Sequence, residues 1–381
     1  MIRRAEVVVV GGGVNGLACA YNLARRGVEN IVVLEKGYLG AGATGRCGAG
    51  IRQQWGMEEN ILLARESVRI FEQLSDELGF NTFFRQGGYL ILISDDREYE
   101  LVRSTIPVQN KLGVPTRMMT RQEISSFVPG INVDGVLGGA YCPTDGTAYP
   151  YAVLWGYGEA ARKRGVEIKV NTTVTEVSRV EGGRYRIVTN GDTFETPVMV
   201  NVAGARTRDI ASHIGIRIPT EPHLHEIAVT ESVKAFLEPM IISIKKGFYF
   251  SQSLRGEIVG GIGDDHQSPT YSSVSSADFL FRYAAALRET IPAIGKVRII
   301  RQWAGLYDMS PDARPILGAV DGYEGYYHAC GFSGHGFMLS PIVARLLSEL
   351  ITTGTTSIPV EGLNLNRFAA GELVKDPYVV G

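Results

Sequence analysis

The sequence predicts an α/β fold carrying an α+β insertion, and three observations support that expectation. Val7 to Val10 is an unbroken β-branched run, which suits a strand buried on both faces of a parallel sheet. Gly11, Gly13 and Gly16 follow with GxGxxG spacing and open a stretch, Val14 to Arg26, in which Leu17, Ala20, Tyr21 and Ala24 recur at helical spacing until Gly27. Between Arg217 and Gly263 the pattern changes to alternating strands: His225 to Glu231, Met240 to Lys245, Phe248 to Ser253 and Glu257 to Gly261. This reads as an antiparallel layer inserted into the first.

The first strand, its glycines and the helix have the order of a Rossmann-type dinucleotide half. The glycines allow a tight turn, leave room for a pyrophosphate and let helix and strand pack closely, and the helix N-terminus faces the phosphates. A second apolar run, Ile31 to Leu34, ends in Glu35, spaced to accept hydrogen bonds from an adenosine ribose. The glycine spacing alone would serve any loop that needs positive φ angles. With the strand before it and the acid after it, it points to a bound dinucleotide, NAD or FAD.

With 381 residues, 45% hydrophobic and 20% charged, the chain is large enough for one large or two medium globular domains. A formal net charge of −2 gives no long-range attraction to nucleic acid or an anionic membrane, and no run of about 20 apolar residues is present to span a bilayer. Arg3 and Arg4 precede an apolar run as in an export signal, but that run is the first strand, so no spare length for a signal peptide is expected. Cys19, Cys47, Cys142 and Cys330 lie far apart, without CxxC or metal-ligand spacing. The expectation is a cytoplasmic protein with reduced thiols, no metal and no iron–sulfur site of its own.

Gly37 to Trp55, GYLGAGATGRCGAGIRQQW, is too rich in glycine for a regular element and too apolar for a solvated loop. Such a backbone suits close approach to a flat cofactor, and its cations Arg46 and Arg52 suit a phosphate or a substrate carboxylate. Glu58 to Leu78 reads as a long helix with Ile61, Leu62, Ala64, Val68, Ile70, Phe71, Leu74 and Leu78 on its broad apolar face. Gly87 to Ser94 reads as a strand, Asp95 to Lys111 as a surface helix, and Arg121 to Phe127 and Tyr149 to Arg164 as further helices. Val166 to Val170, Val174 to Val177 and Val198 to Gly204 read as strands, the last running into a small-residue turn; Ser276 to Ile291 reads as a helix and Val297 to Leu306 as a strand. The last motif, CGFSGHGFMLSPIVARLLSEL, brings Gly331, Gly334 and Gly336 to a helix beginning near Met338, although a plain C-terminal helix with a glycine-rich entry would read the same way. Residues 1–80, 145–216 and 300–381 are expected to form the dinucleotide-binding domain, and 81–144 with 217–299 the substrate-binding one.

The GGGVNG turn, Glu35, Gly42-Ala43-Thr44 and RCGAGIRQQW together resemble the FAD-binding amino-acid and amine oxidoreductases, the group of D-amino-acid oxidase, glycine oxidase and sarcosine oxidase. The similarity runs nearly end to end. Within the group the chain is most similar to the β subunits of dye-linked L-proline dehydrogenases and, less closely, of heterotetrameric sarcosine oxidases. The resemblance implies a Rossmann-type FAD-binding domain with a largely antiparallel substrate-binding domain. It implies FAD contacts from Gly11, Gly13, Gly16, Glu35, Lys36, Ala43, Thr44, Arg46, Cys47, Gly48, Val174, Ala203, Gly204, Gly305, Gly331, Gly334, His335, Gly336, Phe337 and Met338. The FSGHG turn falls at the flavin pyrimidine, where free N–H groups and a helix dipole stabilise the negative charge of reduced flavin. The cysteine that tethers FAD in monomeric sarcosine oxidases corresponds to Gly305, and the histidine that tethers FMN in the heterotetrameric ones falls near Pro150 and Tyr151. FAD is therefore expected to be non-covalent, and the resemblance adds FMN at a subunit interface of a hetero-oligomer.

Oxidising an amino acid or secondary amine requires a hydride acceptor, a cation for the carboxylate and a means of removing the ammonium proton. Arg52 is the candidate cation, because a guanidinium fork binds a carboxylate bidentately and the sarcosine-oxidising relatives place an arginine there; pyrophosphate binding or a structural role is the alternative. His225, with an unperturbed pKa of about 6.5, suits proton removal unless it is a packed core residue. Tyr249 suits capping the substrate by hydrogen bonding or stacking, with a core role as the alternative. His223 is expected to point to the other face once the strand has begun. Trp303, Gly305 and Tyr307 resemble the segment lining the site from the other side. Tyr307 stands where amino-acid oxidases often have a carboxylate-binding arginine, and Met338 where sarcosine oxidases have a lysine. Carboxylate recognition therefore falls on Arg52, and glycine-oxidase-like activity is disfavoured. Ile258 stands near the position of a lysine that oxygen-using sarcosine oxidases place beside the flavin, which predicts slow reaction with oxygen.

The expected function is FAD-dependent oxidation of L-proline or a related secondary amino acid to an imine, with electrons passed to a partner subunit or another non-oxygen acceptor. Sarcosine or hydroxyproline oxidation is the nearest alternative. A flavin-carrying electron-transfer or scaffold subunit is the alternative of another class.

Overall fold

The computed structural model describes residues 2–264, 267–371, 373–376 and 378. Val7–Val10 is buried at all four positions because it lies inside a six-stranded sheet ordered Ile316–Ala319, Tyr326–Cys330, Val198–Asn201, Val7–Val10, Ile31–Leu34, Glu167–Lys169. Neighbours are parallel throughout except Ile316–Ala319, which runs antiparallel to Tyr326–Cys330. Helix Val14–Arg25 leaves the central strand through the glycine turn and packs between helices Pro150–Arg162 and Ser340–Thr353. Leu17, Ala18, Ala20, Tyr21 and Leu23 are its buried residues, in one core with Leu346, Leu347, Val153 and Leu154.

The inserted layer is an eight-stranded sheet ordered Ile299–Met309, Glu221–Ser232, Glu257–Ile262, Phe248–Gln252, Met240–Ser243, Tyr89–Ile93, Gly138–Cys142, Arg117–Met119. It is antiparallel except where Met240–Ser243 runs parallel to Tyr89–Ile93. Alternation divides its side chains between two cores. Phe248, Phe250 and Ile258 pack with Phe279 and Tyr283 of helix Ala277–Thr290, while Tyr89, Ile91, Met240, Ile242 and Tyr249 face the core of the first layer. The cleft between the sheets is thus lined by one side-chain set of the inserted layer.

Ile299–Met309 pairs with Glu221–Ser232 from Glu221↔Met309 to Thr230↔Ile299. By sheet membership it goes with the inserted layer, so a division at 299/300 separates it from its pairing partner; no local pattern announces a partner some eighty residues earlier. Ile2–Arg4 is a strand as well, parallel to Thr193–Thr196 in a four-stranded sheet completed by Arg184–Thr189 and Val174–Val180. The segment Gly37 to Trp55 is more regular than its composition suggests. It contains a 3₁₀ turn, Ala43–Arg46, and a two-residue strand, Gly50–Ile51, paired with Gly146–Thr147. Among the described residues no helix is long and apolar enough to cross a membrane.

Candidate active site

The three glycines of the first turn are glycines for different reasons. Gly11 has φ +115, and a Cβ there would lie 2.4 Å from the Val202 carbonyl oxygen; at Gly16 it would lie 1.9 Å from the Gly11 carbonyl oxygen. Packing alone demands both. At Gly13 a Cβ would meet only Thr44 Oγ1, at 3.3 Å, so its lack of a side chain leaves space at the N-terminus of helix Val14–Arg25. Thr44 Oγ1 accepts from the Val14 amide at 3.2 Å, and Asn15 Nδ2 donates to the Gly336 carbonyl at 3.1 Å while Asn15 Oδ1 is buried without a partner among the described residues. The two glycine motifs, more than three hundred residues apart, therefore meet at one helix N-terminus.

Glu35 accepts from the amides of Gly12 and Gly37, at 2.8 Å each. The amides of Asn171 and Thr172 donate to the carbonyls of Gly37 and Glu35 at 2.9 and 2.8 Å, which brings Val174 to this end of the cleft. Ala203 lies against Gly11, Gly204 has φ +59, and the side chain of Lys36 is exposed. Room at Gly13, an orphaned polar atom at Asn15 and a carboxylate beside the turn fit a dinucleotide whose phosphates face the helix.

The 3₁₀ turn continues the cleft. Arg46 Nη1 donates to the Ala41 carbonyl of its own turn, its carbonyl accepts from Trp303 Nε1 at 3.1 Å, and Cys47 Sγ donates to the Thr44 carbonyl at 3.3 Å. A Cβ on Gly305 would lie 3.0 Å from Arg46 Cβ, and one on Gly48 2.7 Å from the Tyr249 ring. Opposite lies the second turn. Asp308 Oδ2 accepts from the Gly331 amide at 2.6 Å, its carbonyl accepts from the Ser333 amide at 2.9 Å, and Gly334, at φ +90, lets the Tyr307 ring come within 2.5 Å of where its Cβ would be. Ala49 and Ser333, one in each turn, hold left-handed backbone at φ +67 and +47, where non-glycine residues are strained. Phe337 and Met338 are buried, and the helix after them begins at Ser340, two residues later than Met338.

His225 and Tyr249 come together: Nε2 and Oη lie 3.0 Å apart, and a Cβ on Gly261 would lie 3.1 Å from the one and 3.2 Å from the other. Tyr307 stacks on His225 with ring centroids 4.4 Å apart. Burial lowers the His225 pKa to about 4 and raises that of Tyr249 well above its usual value. Both are neutral near pH 7.

Arg52 occupies the other flank and is hydrogen-bonded to neither. It is 1% exposed; Nη1 donates to the Gln54 carbonyl at 3.0 Å and Nη2 to the Tyr378 carbonyl at 2.9 Å. Its guanidinium lies 4.3 Å from the Trp55 ring centroid, and Nη2 is 3.5 Å from His335 Nε2. Burial, then the Arg52 charge, lower the His335 pKa to about 3. Asp145 fixes the backbone beside Arg52, accepting from the Gln53 amide at 2.8 Å and from Gln54 Nε2 at 3.1 Å.

Two sequence expectations are corrected here. Side chains two apart on a strand share a face, and the register is unbroken from Glu221 through His225, so His223 lies on the same face as His225; it sits nearer the strand's start, 3.7 Å from Glu221. Ile258 packs against helix Ala277–Thr290, away from the cleft, and the positions sharing Gly261's face are Val259 and Glu257. No cation stands on that face of Glu257–Ile262. Tyr89, Trp55, Asp145, Asp308, Asp376 and Tyr378 build the site without having been signalled as doing so, since each acts through a contact distant in sequence.

A family profile described as FAD dependent oxidoreductase matches residues 6–350. The chain is 32% identical to a sarcosine oxidase subunit beta of Rhodobacter capsulatus, covering 100% of this chain and 92% of that one. It is 28% identical to a mitochondrial dimethylglycine dehydrogenase of Rattus norvegicus, covering 96% of this chain and 45% of that one. Among solved structures, an L-proline dehydrogenase from P. horikoshii superposes with a TM-score of 0.93 at 38% identity, covering 98% of this chain and 100% of that one. A glycine oxidase from Geobacillus kaustophilus shares the fold at a TM-score of 0.89 and 22% identity, covering 96% and 99%.

Proposed function

Since the chain belongs to the FAD-dependent oxidoreductase family, acting on CH–NH donors, we propose that its substrate is L-proline or a related cyclic secondary amino acid, oxidised to an imine. Non-covalent FAD along the two glycine turns supplies the hydride acceptor. The observation that carries the reading is the His225–Tyr249 pair, its imidazole buried and its phenol half-buried, packed over the backbone of Gly48. His225 is unprotonated at neutral pH, so Nε2 can accept the hydrogen bond of the Tyr249 hydroxyl. The substrate amine, its ammonium proton lost to solvent, donates its N–H to Tyr249 Oη while the Tyr249 hydroxyl donates to His225 Nε2, which aligns the amine lone pair to assist departure of hydride from the adjacent carbon. Tyr307, stacked on His225, holds the imidazole plane. Arg52 takes the substrate carboxylate.

Sarcosine is the second reading, favoured by the name of the Rhodobacter relative. The same groups would serve it, and the smaller amine would need no ring pocket. Electrons leave to an acceptor other than oxygen, in the cytoplasm, within a hetero-oligomer that carries FMN at a subunit junction. Supporting the partner is a run of exposed aromatic rings, Phe83, Tyr149 and Trp155, linked through Tyr151 at centroid separations of 6.4, 6.2 and 5.4 Å. Tyr151 packs against Gly40 and Gly45 of the cofactor turn.

Anaerobic titration of the purified chain tests the substrate. Bleaching of bound flavin by L-proline at lower concentration than by sarcosine is expected. Bleaching by sarcosine alone would exchange the two readings, and no bleaching by any amine would leave the scaffold alternative.

A further inference from the structure

The chain's C-terminal residues reach back into the site. Asp376 is fully buried, and its carboxylate accepts from the amides of Gly56 at 3.1 Å and Met57 at 3.0 Å, from Asn60 Nδ2 at 2.9 Å and from the Tyr378 amide at 2.9 Å. Met57 is the N-cap of helix Glu58–Leu78 and supplies no side-chain cap, so Asp376 caps that helix from across the sequence. Tyr378 is also fully buried, with its hydroxyl hydrogen-bonded to Thr105 on helix Asp96–Lys111. Tied at these two points, the Tyr378 carbonyl presents itself to Arg52 Nη2 at 2.9 Å. The Trp55 ring beneath the guanidinium is held in turn, with Gln109 Nε2 donating to its carbonyl at 2.8 Å.

We propose that Asp376 and Tyr378 form a clasp that sets the rotamer of Arg52 before substrate arrives, making Asp376 a positioning residue for carboxylate binding; this rests on Arg52 taking the carboxylate. A free arginine side chain surrenders several rotatable bonds when it grips a ligand, and one already fixed does not. The carbonyls of Gln54 and Tyr378 engage one N–H on each terminal nitrogen, out of the five that guanidinium has. Nη2 also faces His335 Nε2 at 3.5 Å; the other N–H groups keep their donor capacity, and the carbonyls carry no charge to compete with a carboxylate.

The test is binding of pyrrole-2-carboxylate to the FAD-loaded protein, followed by the change in flavin absorbance. Arg52→Ala should weaken it by at least about a hundredfold, as expected when one partner of a buried charge pair is removed. Asp376→Ala should weaken it about threefold to tenfold, the cost of ordering one long side chain. In the double variant Asp376→Ala should add nothing to Arg52→Ala, because the clasp acts only through that side chain. Asp376→Asn, which keeps one acceptor oxygen and turns an NH2 donor toward the N–H groups that the other oxygen served, should fall between the parent and Asp376→Ala. Undiminished binding in Asp376→Ala, or an equal weakening whether or not Arg52 is present, overturns the clasp and leaves the role of Arg52 standing. Unchanged binding in Arg52→Ala overturns both. Should Asp376→Ala fail to retain FAD, Tyr378→Phe, which releases the ring from Thr105, is measured in the same cycle with the same criteria.

Discussion

His225 is kept neutral by burial, with a pKa near 4, and this has a kinetic consequence. A base with its ordinary pKa of about 6.5 would impose an acid limb on kcat/KM at that pH. Buried as it is, His225 should impose none between pH 5 and pH 8, and the limb that appears should belong to the substrate amine. Measuring kcat/KM for proline across this range checks it; a limb near pH 6.5 that disappears in His225→Gln would contradict the neutral assignment. Tyr249→Phe removes the hydroxyl 3.0 Å from Nε2 and should slow flavin reduction by about a hundredfold with little change in proline Kd. An equal loss in affinity and rate would instead make Tyr249 a binding residue. The legible part of this site was residue type and strand membership, which suffice to bring His225 and Tyr249 forward. Their separation was not legible, nor was the side on which Ile258 packs, because one position of register decides each; the face of His223 follows from alternation with His225 once the strand begins at Glu221.

At the scale of elements, the two glycine turns make separable predictions. Gly16→Ala puts a methyl 1.9 Å from the Gly11 carbonyl oxygen and should lower thermal stability as well as flavin content. A Cβ at position 13 meets only Thr44 Oγ1 in the protein itself, so in Gly13→Leu folding should persist while flavin is lost. Circular dichroism with flavin absorbance on the purified variants distinguishes these, and retained flavin in Gly13→Leu would sink the dinucleotide reading of the turn. Elements with strong local signals were readable to the residue: the expected bounds of Glu58–Leu78 and Arg121–Phe127 are the observed ones. The short strands were not. Ile2–Arg4 and Gly50–Ile51 exist only through partners at Thr193–Thr196 and Gly146–Thr147, and two or three residues carry no period of their own.

The stability of the whole molecule should respond to acid through histidines that folding keeps uncharged. His328 is fully buried, neither ring nitrogen has a hydrogen-bond partner among the described residues, and burial, with the Arg367 charge beyond it, lowers its pKa to about 4. The unfolded chain binds this proton below its ordinary pKa of about 6.5, so the native state loses about 1.4 kcal/mol per pH unit as pH falls from there toward 4. Asp145 and Asp308 oppose this, since burial raises each to about 6 and the native state takes their protons first. His328→Leu should therefore flatten the acid limb of unfolding free energy by about one proton between pH 6.5 and 4, and leave stability above pH 7 without a pH-dependent change. Urea unfolding at several pH values measures the slope, and parallel curves for the two proteins would show that His328 is not buried neutral.

Where the electrons go is also a property of the whole molecule. Oxygen reduction at a flavin is assisted by a fixed positive charge, because superoxide is the first species formed. On the strand Glu257–Ile262 the cleft side offers Glu257, Val259 and Gly261, none of them a cation. Proline-reduced protein should accordingly reoxidise slowly in air-saturated buffer and rapidly with an artificial dye. Stopped-flow mixing decides between them, and turnover on oxygen alone at the dye-linked rate would overturn the prediction. On the proposed reading a partner takes the electrons, and the aromatic run from Phe83 to Trp155 leads from exposed rings to Gly40 and Gly45 of the cofactor turn. Trp155→Asp places a charge at its outer end, where the ring is already exposed, so the fold and proline-dependent bleaching should both survive. What should fail is isolation of the parent's hetero-oligomer from its native cell. A parent that purifies as one polypeptide with full dye-linked activity, or a Trp155→Asp variant that keeps its companion subunit, would remove either the partner or this surface from the account.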